Sequence, residues 1–132
     1  MITIFTDGAS RGNPGPASCG FVIYENDKLL TEQGIPLGIQ TNNFAEYQGV
    51  IKAFQWVLDT YGEGVPIQFK MDSLLVASQM NGKWKIKHEG IRNLYFTAKE
   101  LEKKFPSVSY QHVARAENSE ADRMANWALD NL

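Results

Sequence analysis

Two strand-like runs separated by only two residues constrain this chain more than any other feature. Residues 19–25 (CGFVIYE) and 28–34 are joined by Asn26-Asp27 alone. A two-residue connector of that type leaves room for a tight turn and nothing more. The pair is therefore a hairpin, and part of the sheet is antiparallel. Ahead of it, residues 2–6 alternate apolar and polar side chains, a further strand signal, and halt at Asp7-Gly8. The stretch 8–16 is dense in glycine and proline and is expected to be a loop.

Beyond the hairpin the period changes. From Phe44 the apolar residues Tyr47, Val50, Ile51, Phe54, Val57, Leu58 and Tyr61 share one helical face, and Gly62 and Gly64 close it. Residues 66–71 read as a strand ending at Asp72-Ser73. A short helix over 74–80 follows, then a helix over about 90–105 and a strand over 108–113. A polar loop at 114–118 leads into a last helix over 119–129. A hairpin followed by strands alternating with helices predicts a single α/β domain over residues 1–132, a mixed sheet with helices on its faces. The 132 residues are 43% hydrophobic and 21% charged, which excludes disorder. The lone cysteine, Cys19, excludes an internal disulfide. A net charge of −2 argues against a partner held by a global positive field. The start, Met1 to Asp7, lacks a basic stretch and is not read as a signal peptide. No run is long enough to span a bilayer, so a cytoplasmic location and no membrane partner are expected.

Four acids sit at element ends. Asp7 and Asp72 end strands; Glu46 and Asp122 lie in the first turns of helices. If the two strands are parallel neighbours, all four converge on one edge of the sheet, where open α/β sheets collect ligands. Clustered carboxylates must raise their pKa values or bind cations. Hard ions with oxygen ligands, Mg²⁺ or Mn²⁺, suit such a site. A carboxylate pair for acid–base chemistry is a second option, and leaves two acids unexplained. Each acid also has a plain structural reading. Asn43 to Glu46 has the spacing of a capping box, as does Ser119 to Asp122, and Asp7-Gly8 and Asp72-Ser73 suit turns.

The segment Ile4-Phe-Thr-Asp7-Gly-Ala-Ser-Arg-Gly12-Asn13-Pro14-Gly15-Pro16 resembles the opening of type 1 ribonuclease H. Thr41-Asn42-Asn43-Phe-Ala-Glu46, Asp72-Ser73 and Glu117-Asn118-Ser-Glu-Ala-Asp122 match that family's later motifs, in order, over nearly the whole chain. The resemblance implies a ribonuclease-H-like fold, a five-stranded mixed sheet of order 3-2-1-4-5. It also implies hydrolysis of the RNA strand of an RNA–DNA hybrid by a monomer, leaving 3′-hydroxyl and 5′-phosphate ends. Asp7, Glu46, Asp72 and Asp122 would be the catalytic acids and would hold two divalent ions about 4 Å apart. Gly8, Asn13, Thr41, Asn42, Asn43 and Ser73 would meet the hybrid. RNA is told from DNA by its 2′-hydroxyl.

Three departures from the family pattern matter. The loop before Asp122 is short and carries Arg115 in place of a histidine; His112 falls on the strand before it. Arginine can meet a phosphate but cannot shuttle protons near pH 7. The family's longer basic protrusion is reduced to Lys83, Trp84, Lys85, Lys87 and His88, with Arg92 beyond. These are read as phosphate contacts, against the plain alternative of a solvated lysine run around a core tryptophan. Leu74 stands where many members carry a polar contact. Weaker hybrid binding with a shallow salt dependence is expected. The alternative function is a catalytically weak or inactive RNA- or hybrid-binding module on the same fold. Another nuclease of this fold, such as a junction resolvase, fits the acids but not the asparagines.

Overall fold

The computed structural model describes residues 1–132. Its elements are β1 (Ile2–Ser10), β2 (Gly15–Glu25), β3 (Lys28–Gln40), α1 (Asn42–Tyr61), β4 (Ile67–Met71), α2 (Leu74–Met80), α3 (Glu89–Glu102), β5 (Val108–His112), a 3₁₀ turn (Arg115–Asn118) and α4 (Ser119–Asp130). The five strands form one sheet of order β3-β2-β1-β4-β5. β1 pairs antiparallel with β2, and β2 with β3, while β4 runs parallel to both β1 and β5. That is the mixed sheet and strand order expected above.

Strand alternation sorts side chains between the two faces. Ile2, Ile4, Phe21 and Ile23 point to one face and pack with Val50, Phe54 and Val57 of α1. An aromatic chain runs through this core: Phe105 stacks on Phe54 at 5.5 Å, Phe54 meets Phe69 edge-on at 4.9 Å, and Phe69 stacks on Tyr110 at 5.4 Å. The intervening Gly20 and Ser18 face α4 on the other side, where the Ser18 hydroxyl donates to the Ala125 carbonyl at 2.5 Å. No helix is long and apolar enough to cross a membrane.

Two expectations need correction. Residues 8–16 are not one loop. β1 runs on to Ser10 and β2 begins at Gly15, with Gly8 paired to Cys19 and Ser10 to Ala17, so only residues 11–14 turn. Gly8 marks the close approach of α1 rather than a turn, while Gly12, at φ +109°, makes the turn itself. Neither capping box forms. Thr41 caps α1, its hydroxyl accepting from the Phe44 amide at 3.2 Å, which puts Glu46 in the second turn and Asn43 inside the helix. Asn118, not Ser119, precedes α4, and its side chain makes no cap bond.

Candidate active site

Asp7 lies on β1 opposite Gly20 of β2, and Asp72 follows the last residue of β4. Because β1 and β4 are parallel neighbours, both carboxylates leave the same sheet edge. α1 brings Glu46 to them. A Cβ on Gly8 would stand against the Glu46 backbone nitrogen and 2.5 Å from the Ala45 carbonyl carbon. Only glycine lets the helix lie this close to the strand. On the other face, a Cβ on Gly20 would lie 2.6 Å from the Ala125 nitrogen and closer still to the Ala121 carbonyl. That contact seats α4, and with it Asp122.

The result is one oxygen atom each from Asp7, Glu46 and Asp72, all within 4.8 Å of one another. Asp122 lines the same cavity of about 390 Å³, together with Ser10, Arg11, Asn42, Arg115 and Asn126. It stands outside the tight group of three. Its carboxylate accepts from Asn126 Nδ2 at 3.3 Å and lies 3.9 Å from the Arg115 guanidinium. Burial, then the charges of Glu46 and Asp72, push the Asp7 pKa well above the ordinary carboxylate range. Glu46 is raised too, chiefly by burial, against a lowering hydrogen bond from Asp7.

No side chain supplies the missing positive charge to the three. Arg11 is paired with Asp130 at 2.6 Å, and Arg115 reaches only Asp122. An all-carboxylate donor set of this density fits a hard divalent cation, Mg²⁺ or Mn²⁺.

The other singled-out residues fall into two groups. Around the acids, Asn13 Oδ1 accepts from the Asn42 backbone amide at 3.0 Å, so the β1–β2 turn helps cap α1. Ser73 caps α2, accepting from the Val76 amide at 3.2 Å. Thr41, Asn42 and Asn43 are exposed at the start of α1. Beside them Lys83, Trp84, Lys85, Lys87 and His88 line a second cavity of about 560 Å³, with Asn43 and Gln79. Trp84 is 47% exposed, so it is not a core residue. Arg92 does not join the row; its guanidinium donates to the Ile86 carbonyl at 3.2 Å and braces the segment. His112 ends β5 as an exposed residue.

A family model described as reverse transcriptase-like matches residues 5–128. A ribonuclease HI of Halobacterium salinarum is 41% identical over 131 residues, 98% of this chain and 65% of its own length. The crystal structure of RNase H1 from the halophilic archaeon Halobacterium salinarum NRC-1 superposes with a TM-score of 0.94 at 39% identity, covering 99% of this chain and 98% of that one. The chain belongs to the type 1 ribonuclease H family. Another member, LC11-RNase H1 in complex with an RNA/DNA hybrid, superposes with a TM-score of 0.94 at 32% identity over 99% of this chain and 98% of that one. The bifunctional protein Rv2228c of Mycobacterium tuberculosis is 41% identical over 131 residues, 98% of this chain. The chain spans 35% of the length of that mycobacterial relative.

Three residues at this ribonuclease H site escape a reading of motifs by role. Asn118 is 1% exposed, and its amide donates to the Thr6 carbonyl at 2.8 Å and to Asp72 Oδ1 at 3.2 Å. It ties β1, the Asp72 carboxylate and the start of α4 together. Asn126 holds Asp122 from one turn along α4, and that i,i+4 spacing was the available signal. Arg11 lines the acid cavity from the β1–β2 turn; its partner Asp130 lies at the far end of the chain, which no local pattern reveals.

Proposed function

We propose that this chain is an endoribonuclease that hydrolyses the RNA strand of RNA–DNA hybrids with two divalent ions. The observation that carries the reading is the meeting of Asp7 on β1, Glu46 on α1 and Asp72 just past β4, with Asp122 on the same cavity. The hybrid-bound relative supports the substrate class. Asp7, Glu46, Asp72 and Asp122 would hold the ions, Mg²⁺ or Mn²⁺. Ions bound there would activate the attacking water and neutralise the scissile phosphate and the leaving oxygen.

The chain's own groups do the positioning. Asn118 holds Asp72 in place, and Asn126 does the same for Asp122. Gly8 is pressed by α1 where a side chain would stand, and it is its backbone, on the wall of the acid cavity, that would meet the ribose. Asn42 lines the acid cavity and Asn43 the neighbouring lysine cavity; with Asn13, Ser73 and the Thr41 hydroxyl they would contact the hybrid near the cut. Arg115 stands at the rim to meet a phosphate. Lys83, Trp84, Lys85 and Lys87 grip the hybrid farther out. Cleavage between phosphorus and the 3′-oxygen leaves a 3′-hydroxyl and a 5′-phosphate. A binder of a polyanion gains nothing from clustered carboxylates, which disfavours the inactive module.

The test is cleavage of an end-labelled RNA–DNA hybrid with Mg²⁺ or Mn²⁺, with duplex DNA and duplex RNA as controls. Hybrid-specific cutting that disappears in Asp72→Asn is expected. Equal cutting of all three duplexes, or full activity of Asp72→Asn, overturns the reading.

A further inference from the structure

Gln79, in the last turn of α2, is 5% exposed yet lines the second cavity. Its side-chain oxygen accepts from the Tyr47 hydroxyl at 2.6 Å. Tyr47 is wholly buried in α1, so the bond fixes the amide plane from behind. The amide nitrogen has no acceptor in the protein, and it is not among the sealed-off polar atoms, so it opens on the cavity. Lys83, Lys85, Lys87 and the half-exposed Trp84 line the same cavity.

We propose that Gln79 is a substrate-contacting residue whose amide, aimed by Tyr47, donates to a backbone phosphate of the uncut strand. The inference rests on the ribonuclease reading and adds to it a contact and a strand. Lysines on long exposed stems attract a polyanion without fixing its register. A donor held by a buried hydroxyl fixes register, as phosphate contacts do in nucleic-acid complexes. The strand assignment follows from the first turn of α1, where Asn42 lines the acid cavity and Asn43 the lysine cavity. With the cut strand at the acids, its partner lies over Trp84.

A merely structural Gln79 would tie α1 to α2 and touch no substrate. The double variant Tyr47→Phe/Gln79→Met separates the two roles. Replacing both hydrogen-bond partners by apolar groups of like shape leaves stability nearly unchanged, whereas the donor to phosphate is gone. With the full chain, a melting temperature near the parent's is expected. KM for the hybrid rises about tenfold, with the loss in KM rather than kcat. Gln79→Glu keeps an acceptor for Tyr47 and removes both donors; it loses tenfold or more. Fluorescence anisotropy of a labelled hybrid in EDTA reads the same loss without any cleavage. A folded double variant, or Gln79→Glu, with parental hybrid affinity overturns the proposal while leaving the ribonuclease reading intact. A parent protein that cuts no hybrid overturns that reading instead, and the anisotropy series still decides the contact.

Discussion

Gly8 and Glu46 meet through backbone alone: the strand residue has no room for a Cβ against the amide nitrogen of the helix residue. Gly8→Ala must push α1 and β1 apart. Overpacking of this kind costs about 1–3 kcal/mol, and an ångström of misplacement costs about 100-fold in rate. Gly49→Ala is the control on the same helix, since its Cβ would meet nothing closer than 3.4 Å. Thermal melts and hybrid cleavage should show Gly8→Ala destabilised and nearly inactive, with Gly49→Ala at least as stable as the parent because alanine favours the helix.

Asn118 is the second point at which the cup is held from behind. Asn118→Ala leaves the Asp72 carboxylate without its neutral donor and removes the bond to the Thr6 carbonyl. Losing buried hydrogen bonds of this kind costs about 1–3 kcal/mol. A freed Asp72 samples positions outside the cluster, so the Mg²⁺ concentration for half-maximal cleavage should rise. A metal titration of activity beside a melt checks both effects. An unchanged metal requirement would mean that Asp72 is set by β4 alone.

The strands, the hairpin and the mixed sheet were legible because alternation and a two-residue turn leave few other arrangements, whereas the strand order came with the family resemblance, since crossover neighbours leave no local signal. Asp72 was legible as the residue after a strand; Asp7 does not end β1, which runs on to Ser10, but stands one residue past the last β1–β4 pair and so beside Asp72. Gly8 misled because local pattern cannot separate a glycine that turns the chain, as Gly12 does, from one that another element presses on. The spacing from Asn43 to Glu46 imitates a capping box, yet Thr41 takes the cap and frees Glu46 for the cluster. Asn118 looked like a loop residue beside a helix. Its inward turn depends on the Thr6 carbonyl and Asp72, both far away in sequence.

Lys83, Lys85 and Lys87 are exposed around the second cavity, and few other cations face it. Hybrid binding should therefore fall only gently with salt. Each phosphate contact contributes a slope of about 0.9 on duplex DNA, so a slope near 3 is expected from these lysines. Replacing any one with alanine should lower it by about one. Affinity measured from 50 to 300 mM salt (roughly the range where such slopes are read) checks this. A slope for eight or more contacts would place the grip elsewhere.

Without divalent ions the acid cluster works against the fold. Burial and the charges of Glu46 and Asp72 raise the Asp7 pKa, so the folded protein binds a proton there that the unfolded chain releases near pH 4. The unfolded state then holds fewer protons than the native one, and stability falls as pH rises from about 4 through neutrality. Asp7→Asn removes this cost. In EDTA at pH 8 the variant should melt higher than the parent by at least about 1 kcal/mol, roughly 4 °C in a chain of this size. Near pH 4 the gap should close. Adding Mg²⁺ should raise the parent's melting temperature at pH 8, because the ion binds the folded cluster and not the unfolded chain, and should do little for the variant. Melts at both pH values, with and without the ion, give all four numbers. A parent that is already the more stable at pH 8 in EDTA would mean that the three carboxylates do not repel one another, and the cation requirement argued from them would go with it.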